Sequence, residues 1–301
     1  MSFQLSRVLL LGHSGFIGSA LARRLHESRP GIEVVGLSYP PFDLTAQERI
    51  AELREELRPG TAVVMLSAVK RQSGDTLENY LQNQMMVVNL CRALEGRSSV
   101  RVVFFSSTAV YGEDVHNTEI TEATPVRPRS YYGMAKYSGE RILAKAFQSD
   151  NGRGLVLLRP ATVYGAGEPG TGYTPTGFLR KMRGGERLTL WGDGSELREF
   201  IYIDDLTALT ERLIFSDFSG VVNIVSGRSR TFQEIAAAAV QLVGGGEAPD
   251  RKPRSKDKVD NCFVPTYVPR LFPEFTFTSI EDGMRRINEL EAAAASAGGV
   301  K

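Results

Sequence analysis

The sequence has only two cysteines, Cys91 and Cys262, in 301 residues. They give no disulfide framework, and two reduced thiols in a cytoplasmic protein are expected. Histidine is nearly as scarce: none of His13, His26 and His116 stands at ligand spacing from another or from a cysteine, so no metal site is expected. No apolar run approaches the roughly 20 residues that span a bilayer. The opening MSFQLSRVLLLG enters a strand-like run without the long apolar core and cleavage site of a signal peptide. Net charge is also missing, because 36 Lys and Arg stand against 35 Asp and Glu. The remaining +1 offers no field for nucleic acid or an anionic membrane surface, so neither is expected as a partner, and an anionic ligand must be met by a local site.

A hydrophobic share of 42% is enough to fill a sizeable core. Strand-like runs at 7–11, 33–37, 62–66, 101–106 and 154–158 alternate with helix-like stretches at 16–25, 46–57, 77–94 and 132–146. Repetition of this βαβ unit predicts an α/β fold with a parallel sheet and helices on both faces. After RPATVYG the periodicity breaks, and residues 166–175 hold three glycines and two prolines, which reads as a loop or a change of domain. Shorter mixed elements follow, and the end, LEAAAASAGGVK, is expected to fray. We therefore expect a dinucleotide-binding domain over 1–165 with a return of the chain at about 205–228. A substrate lobe is expected over 166–204 and 229–290, and a disordered tail over 291–301.

Gly12, Gly15 and Gly18 lie between the first strand and a helix whose apolar residues Phe16, Ile17, Ala20, Leu21 and Leu25 recur at helical spacing. Glycines at such a turn let backbone N–H groups at a helix N-terminus approach a pyrophosphate. Three glycines alone also suit a plain turn; the strand before and the βαβ pattern after favour a dinucleotide. An acid at the end of the second strand normally binds the adenosine ribose. Leu37 and Ser38 stand there instead, so neither NAD nor NADP is clearly claimed.

Tyr132 and Lys136 are four residues apart, on one helical face. An ammonium beside a phenol favours phenolate, which is expected to lower the Tyr132 pKa toward a range useful for proton transfer. The competing reading pairs Lys136 with Glu140 and leaves the tyrosines to packing; Tyr131 and Tyr137 share the lysine's face less well. The apolar strand in VVFFSSTAVYGE ends in hydroxyl residues, where a parallel sheet gathers ligands and a hydroxyl can bond a substrate carbonyl.

GHSGFIGSAL, FDLT, SSTAVYGE, YYGMAKYSGE, RPATVYGAGEP, LWGDGSELREFIYIDDL, NIVSG and TSIEDGMRR occur in this order. Together they make the chain resemble the extended short-chain dehydrogenase/reductase family of nucleotide-sugar epimerases, dehydratases and ketoreductases. The resemblance covers most of the chain and implies a Rossmann-type doubly wound parallel sheet with a smaller mixed α/β C-terminal substrate lobe. It implies a nucleotide-sugar substrate, NAD or NADP with NAD slightly favoured, and a homodimer formed through the Leu77 and Tyr132 helices.

By position, the resemblance makes Tyr132 the acid/base, Lys136 its ribose-binding partner and Ser107 the hydroxyl that orients the sugar. Gly12, Gly15, Phe16, Ile17, Gly18 and Ser38 fall with the cofactor. Asp43 and Leu44 match the pair that meets adenine. Ser67 and Ala68 line the cofactor, Lys70 matches a lysine that some epimerases direct at it, and Asn83 matches an asparagine near the nicotinamide side. Thr108, Thr162, Arg198 and Arg254 match substrate positions, the arginines at the diphosphate. Trp191 falls beside the base pocket, although a core role suits it equally. Family dehydratases and decarboxylases carry a carboxylate at one or both of the two positions after the serine, here Thr108 and Ala109. That disfavours dehydration. Epimerisation through a transient 4-keto sugar is expected; net reduction of a 4-keto sugar is the alternative, and a non-catalytic nucleotide-binding protein is a more distant one.

Overall fold

The computed structural model describes residues 5–97, 100–148, 154–170, 172–244, 248–254 and 256–298. The chain divides into two compact units, the first comprising 1–113, 122–160 and 207–224 and the second 114–121, 161–206 and 225–301.

The first unit opens with β1 (Arg7–Leu11), α1 (Phe16–Ser28), β2 (Glu33–Leu37), α2 (Arg49–Glu56), β3 (Thr61–Met65), α3 (Leu77–Leu94) and β4 (Arg101–Phe105). Helix α2 starts three residues later than its apolar pattern predicts, because Asp43 closes a side-chain turn onto the Thr45 N–H and hydroxyl at 2.8 and 2.7 Å. That local bond competes with helix formation. Next along the chain, β5 (Asn117–Ile120) belongs to the second unit, where it pairs with a later strand. The chain then forms α4 (Tyr131–Ala146) and β6 (Leu155–Pro160). The second unit continues with β7 (Thr162–Tyr164), α5 (Pro175–Arg183), β8 (Thr189–Trp191), β9 (Leu197–Arg198) and β10 (Phe200–Tyr202). After α6 (Ile203–Ile214), β11 (Gly220–Ile224) returns to the first unit.

β1, β3, β4 and β6 are buried along their whole length, as strands covered on both faces must be. All neighbours in the central sheet are parallel and the order is β11-β6-β4-β3-β1-β2. The chain therefore steps outward from β1 to β2 and then returns to the other side of β1 as β3. In open α/β sheets the ligand site lies outside the carboxyl ends of the strands at such a reversal. Leu9, Leu11, Val63, Val102 and Phe104 form the core beneath α3 and α4, with Val87, Leu90 and Leu143 from those helices.

The second unit ends with β12 (Arg230–Thr231), α7 (Phe232–Val243), β13 (Asp250–Lys252), β14 (Asn261–Phe263), α8 (Tyr267–Leu271) and α9 (Ile280–Gly298). Its strands form four two-stranded pairs, β10-β7, β12-β9, β13-β8 and β14-β5. The expected fraying of 291–301 is corrected for 291–298, which continue α9, while 299–301 lie outside the described residues. Two physical reasons account for this. Alanine is the strongest helix former, and Glu291 is anchored by the Arg180 guanidinium at 2.5 Å. No helix among the described residues is long and apolar enough to cross a membrane.

Candidate active site

The loops that leave β1, β2 and β3 are stitched together by backbone bonds. Leu66 and Ser67 both donate to the Leu11 carbonyl at 2.9 Å, and Gly12 donates to the Leu37 carbonyl at 2.7 Å. Gly12 has φ +95°, and a Cβ there would stand 2.8 Å from the Ser67 nitrogen. A Cβ at Gly18 would stand 2.2 Å from the Gly12 carbonyl oxygen and 2.8 Å from the His13 Cα. Backbone is thus packed on backbone, as a close turn requires. Behind Gly15, α1 begins at Phe16 and Ile17 with no side-chain cap and no acid in its first turn. Its first N–H groups and the positive end of its dipole are left for an anion. These features fit the pyrophosphate of a dinucleotide.

Ser38 is buried. It accepts the Ser14 N–H at 3.0 Å and lies 2.8 Å from His13 Nδ1, so the hydroxyl expected at the ribose is engaged in bracing the glycine turn. Leu44 is buried beyond the Asp43 turn, its carbonyl accepting from Asn89 at 2.9 Å. Ala68 is half-buried and Lys70 exposed. Asn83 accepts the Val69 N–H at 2.8 Å and donates to the Val69 carbonyl at 3.0 Å. Its amide therefore acts on the loop after β3, and any effect on a ligand passes through that loop.

Ser107 caps a short helical turn, Thr108–Tyr111, its hydroxyl accepting the Ala109 N–H at 3.1 Å. Thr108 Oγ1 donates to the Pro160 carbonyl at 3.2 Å. Ser130 caps α4 by accepting the Gly133 N–H at 3.0 Å, which sets the helical phase of Tyr132 and Lys136. Lys136 Nζ lies 5.7 Å from the Tyr132 ring centre, and it donates to the Phe105 carbonyl at 2.7 Å. The Ser107 hydroxyl acts on the Tyr132 phenol and favours its ionised form. The structure thus brings Ser107, Tyr132 and Lys136 together at the end of β4.

The expected lowering of the Tyr132 pKa by Lys136 does not occur. Burial pushes the phenol up to about 12, opposed by the Ser107 hydrogen bond and reinforced by Glu113, even though part of the Tyr132 surface still meets solvent. Lys136 is brought down to about 8 by burial, against the pull of Glu140. Tyr131 is exposed and Tyr137 half-buried.

Sequence reasoning passes over Arg159 and its partners. Arg159 forks onto Glu140, with Nε to Oε1 at 2.8 Å and Nη2 to Oε2 at 2.6 Å, and both side chains are buried. Ser106 donates to the same carboxylate at 2.5 Å, and Arg159 Nη1 donates to the Tyr111 hydroxyl at 2.8 Å. One signal points to it: an arginine inside LVLLRP must find a partner if that strand is buried.

In the second unit Thr162 is exposed, and its N–H donates to the Glu199 carbonyl at 3.3 Å. Trp191 is 47% exposed, which removes the core reading. Arg254 lies against Gly192, the residue after Trp191, where a Cβ would come 2.7 Å from its guanidinium carbon. Asp193 accepts from Arg254 Nη2 at 2.6 Å. Arg198 is held by the Leu197 and Val259 carbonyls at 2.8 and 2.5 Å and by Glu196 at 2.5 Å.

A sequence model described as the NAD dependent epimerase/dehydratase family matches residues 8–224. GDP-L-fucose synthase 1 of Arabidopsis thaliana is 25% identical, with 81% of this chain and 80% of that protein covered. The dTDP-4-dehydro-6-deoxy-D-allose reductase of Streptomyces bikiniensis is 28% identical, with 80% and 82% covered. Among solved structures, UDP-glucose 4-epimerase of Thermus thermophilus in complex with NAD matches with a TM-score of 0.79 at 25% identity, covering 95% of this chain and 99% of that one.

Proposed function

The chain belongs to the NAD dependent epimerase/dehydratase family, and from that premise we propose that it is a nucleotide-sugar epimerase acting through a transient 4-keto sugar. The observation that carries this reading is the Ser107, Tyr132 and Lys136 group, followed at 108 and 109 by residues without a carboxylate for elimination. NAD or NADP fits the glycine turn. Gly12, Gly15, Phe16, Ile17 and Gly18 would hold the pyrophosphate, Asp43 and Leu44 the adenine side, and Ser67, Ala68, Lys70 and Lys136 the nicotinamide side. When bound, the cofactor would supply reversible hydride transfer at one sugar carbon, out from one face and back to the other. Tyr132 removes the hydroxyl proton and later returns it to the ketone oxygen, while Ser107 donates a hydrogen bond to that oxygen. At neutral pH the phenol by itself stands as the acid. Accepting a proton therefore needs positive charge beyond Lys136, which an oxidised nicotinamide would add when bound.

For the sugar nucleotide we propose Thr108 and Thr162 at the sugar, Trp191 at the base and Arg198 with Arg254 at the diphosphate. Arg198 would have to exchange Glu196 for phosphate oxygens. The alternative reading, an NADPH-dependent 4-keto-sugar reductase, is favoured by two observations: the acid form of Tyr132, and the absence of an acid where β2 ends. An assay with nucleotide hexoses and a trace of cofactor is expected to yield the C4 epimer without net cofactor consumption. Stoichiometric oxidation of NADPH by a 4-keto sugar would replace this reading with the reductase.

We also propose a cytoplasmic homodimer. Leu77, Leu81 and Met85 recur every four residues on α3 and are exposed, as is Met134 on α4, an apolar stripe of the kind that interfaces cover. Leu81→Glu is expected to halve the mass measured by light scattering; a mass unchanged by the substitution would remove α3 from the interface.

A further inference from the structure

The bland reading of α4 pairs Lys136 with Glu140 one helical turn away. Instead Glu140 is engaged by the Arg159 fork and the Ser106 hydroxyl. Lys136 Nζ donates to the Phe105 carbonyl, and no ion pair joins it to Glu140 among the described residues. Both carboxylate oxygens of Glu140 accept from Arg159, which is itself fixed from the far side by Tyr111, whose hydroxyl donates to Asn223 Oδ1 at 2.8 Å. A carboxylate buried beside an ammonium would otherwise take it as its partner, since burial strengthens the attraction and leaves each charge costly alone.

We propose that Arg159 is a positioning residue: by capturing Glu140 it keeps that carboxylate off Lys136 and leaves the ammonium at the Phe105 carbonyl, facing Tyr132. The role of Lys136 toward Tyr132 and the ribose rests on the function proposed above; the capture of Glu140 does not. The charged and titratable groups around Lys136 are Tyr132 and Glu140 on its own helix, Arg159 on β6 and Tyr111 behind it, with Glu113 acting on Tyr132. With Arg159 in place, Lys136 titrates near 8 and so changes charge within an accessible range. Without Arg159, a Lys136–Glu140 pair would hold the ammonium charged to much higher pH and draw it from the Phe105 carbonyl.

The test is a titration of the protein carrying isotope-labelled lysine, with the Lys136 Cε signal identified by its loss in Lys136→Met and followed by NMR. The midpoint is expected near 8 in the natural sequence. It should rise by about one pH unit or more in Arg159→Gln, and return at least halfway in Arg159→Gln with Glu140→Gln. Glu140→Gln alone should lower the midpoint, which provides a reading even where Arg159→Gln fails to fold. An unmoved midpoint in Arg159→Gln, a shift that persists in the double variant, or a Glu140→Gln midpoint that stays or rises would each overturn the proposal. A purely structural role for Arg159 would not give shifts of opposite sign. The titration needs no sugar, so inactivity toward every nucleotide sugar would overturn the proposed function and leave this result standing.

Discussion

Replacing Tyr132 with phenylalanine is expected to lower turnover by about a thousandfold, within the range that a positioned acid or base contributes. Affinity for the dinucleotide should stay within a few fold. The substitution removes only the hydroxyl on which Ser107 acts, and leaves α4, its Ser130 cap and the Lys136 bond to Phe105 in place. Steady-state rates together with calorimetric titration of NAD and NADP separate the two effects. Turnover retained at the natural rate would exclude Tyr132 as the acid/base, and a chain with no activity in either form would return attention to a non-catalytic nucleotide-binding protein.

The second large effect is expected from Gly18→Ala. The added methyl would meet the Gly12 carbonyl oxygen at 2.2 Å and the His13 Cα at 2.8 Å, both backbone atoms that cannot rotate away. The turn must open, at a cost of roughly 1–3 kcal/mol in stability, the range seen for overpacked sites. Because the same movement displaces the N–H groups at the start of α1, dinucleotide affinity should fall at least about tenfold. Gly31→Ala is the control, since nothing lies within 4 Å of a Cβ there. Denaturant melts and cofactor titrations that found the two variants alike would contradict the close packing assigned to the turn.

The parallel sheet is legible because its inner strands are buried on both faces and so appear as uninterrupted apolar runs. Arg7–Leu11, Glu33–Leu37 and Leu77–Leu94 match their elements residue for residue. What escapes depends on partners distant in sequence or on burial. Arg159 marks itself as a charge in an apolar strand, yet its partner Glu140 lies 19 positions away on a helix where Lys136 is the nearer choice. The spacing of Tyr132 and Lys136 places them on one face. It does not reveal that Lys136 bonds a β4 carbonyl, or that burial pushes the phenol up and the ammonium down. Asn83 reads as a cofactor contact because the pattern gives a position but not the partner of its amide, which is the Val69 backbone. The last helix is misjudged from composition alone: alanine-rich sequence is low in complexity, but it is also helix-forming when one end is anchored, as Glu291 is by Arg180.

In the proposed reaction hydride leaves and returns to the same sugar carbon while Tyr132 moves the proton. The most direct measurement is the fate of deuterium placed at C4 of a nucleotide hexose, incubated with the protein and unlabelled cofactor and analysed by NMR and mass spectrometry. The expected product is a C4 epimer that keeps its deuterium, with no net change in cofactor redox state. Loss of the label from the sugar, or a product formed only as NADPH is consumed, would contradict it.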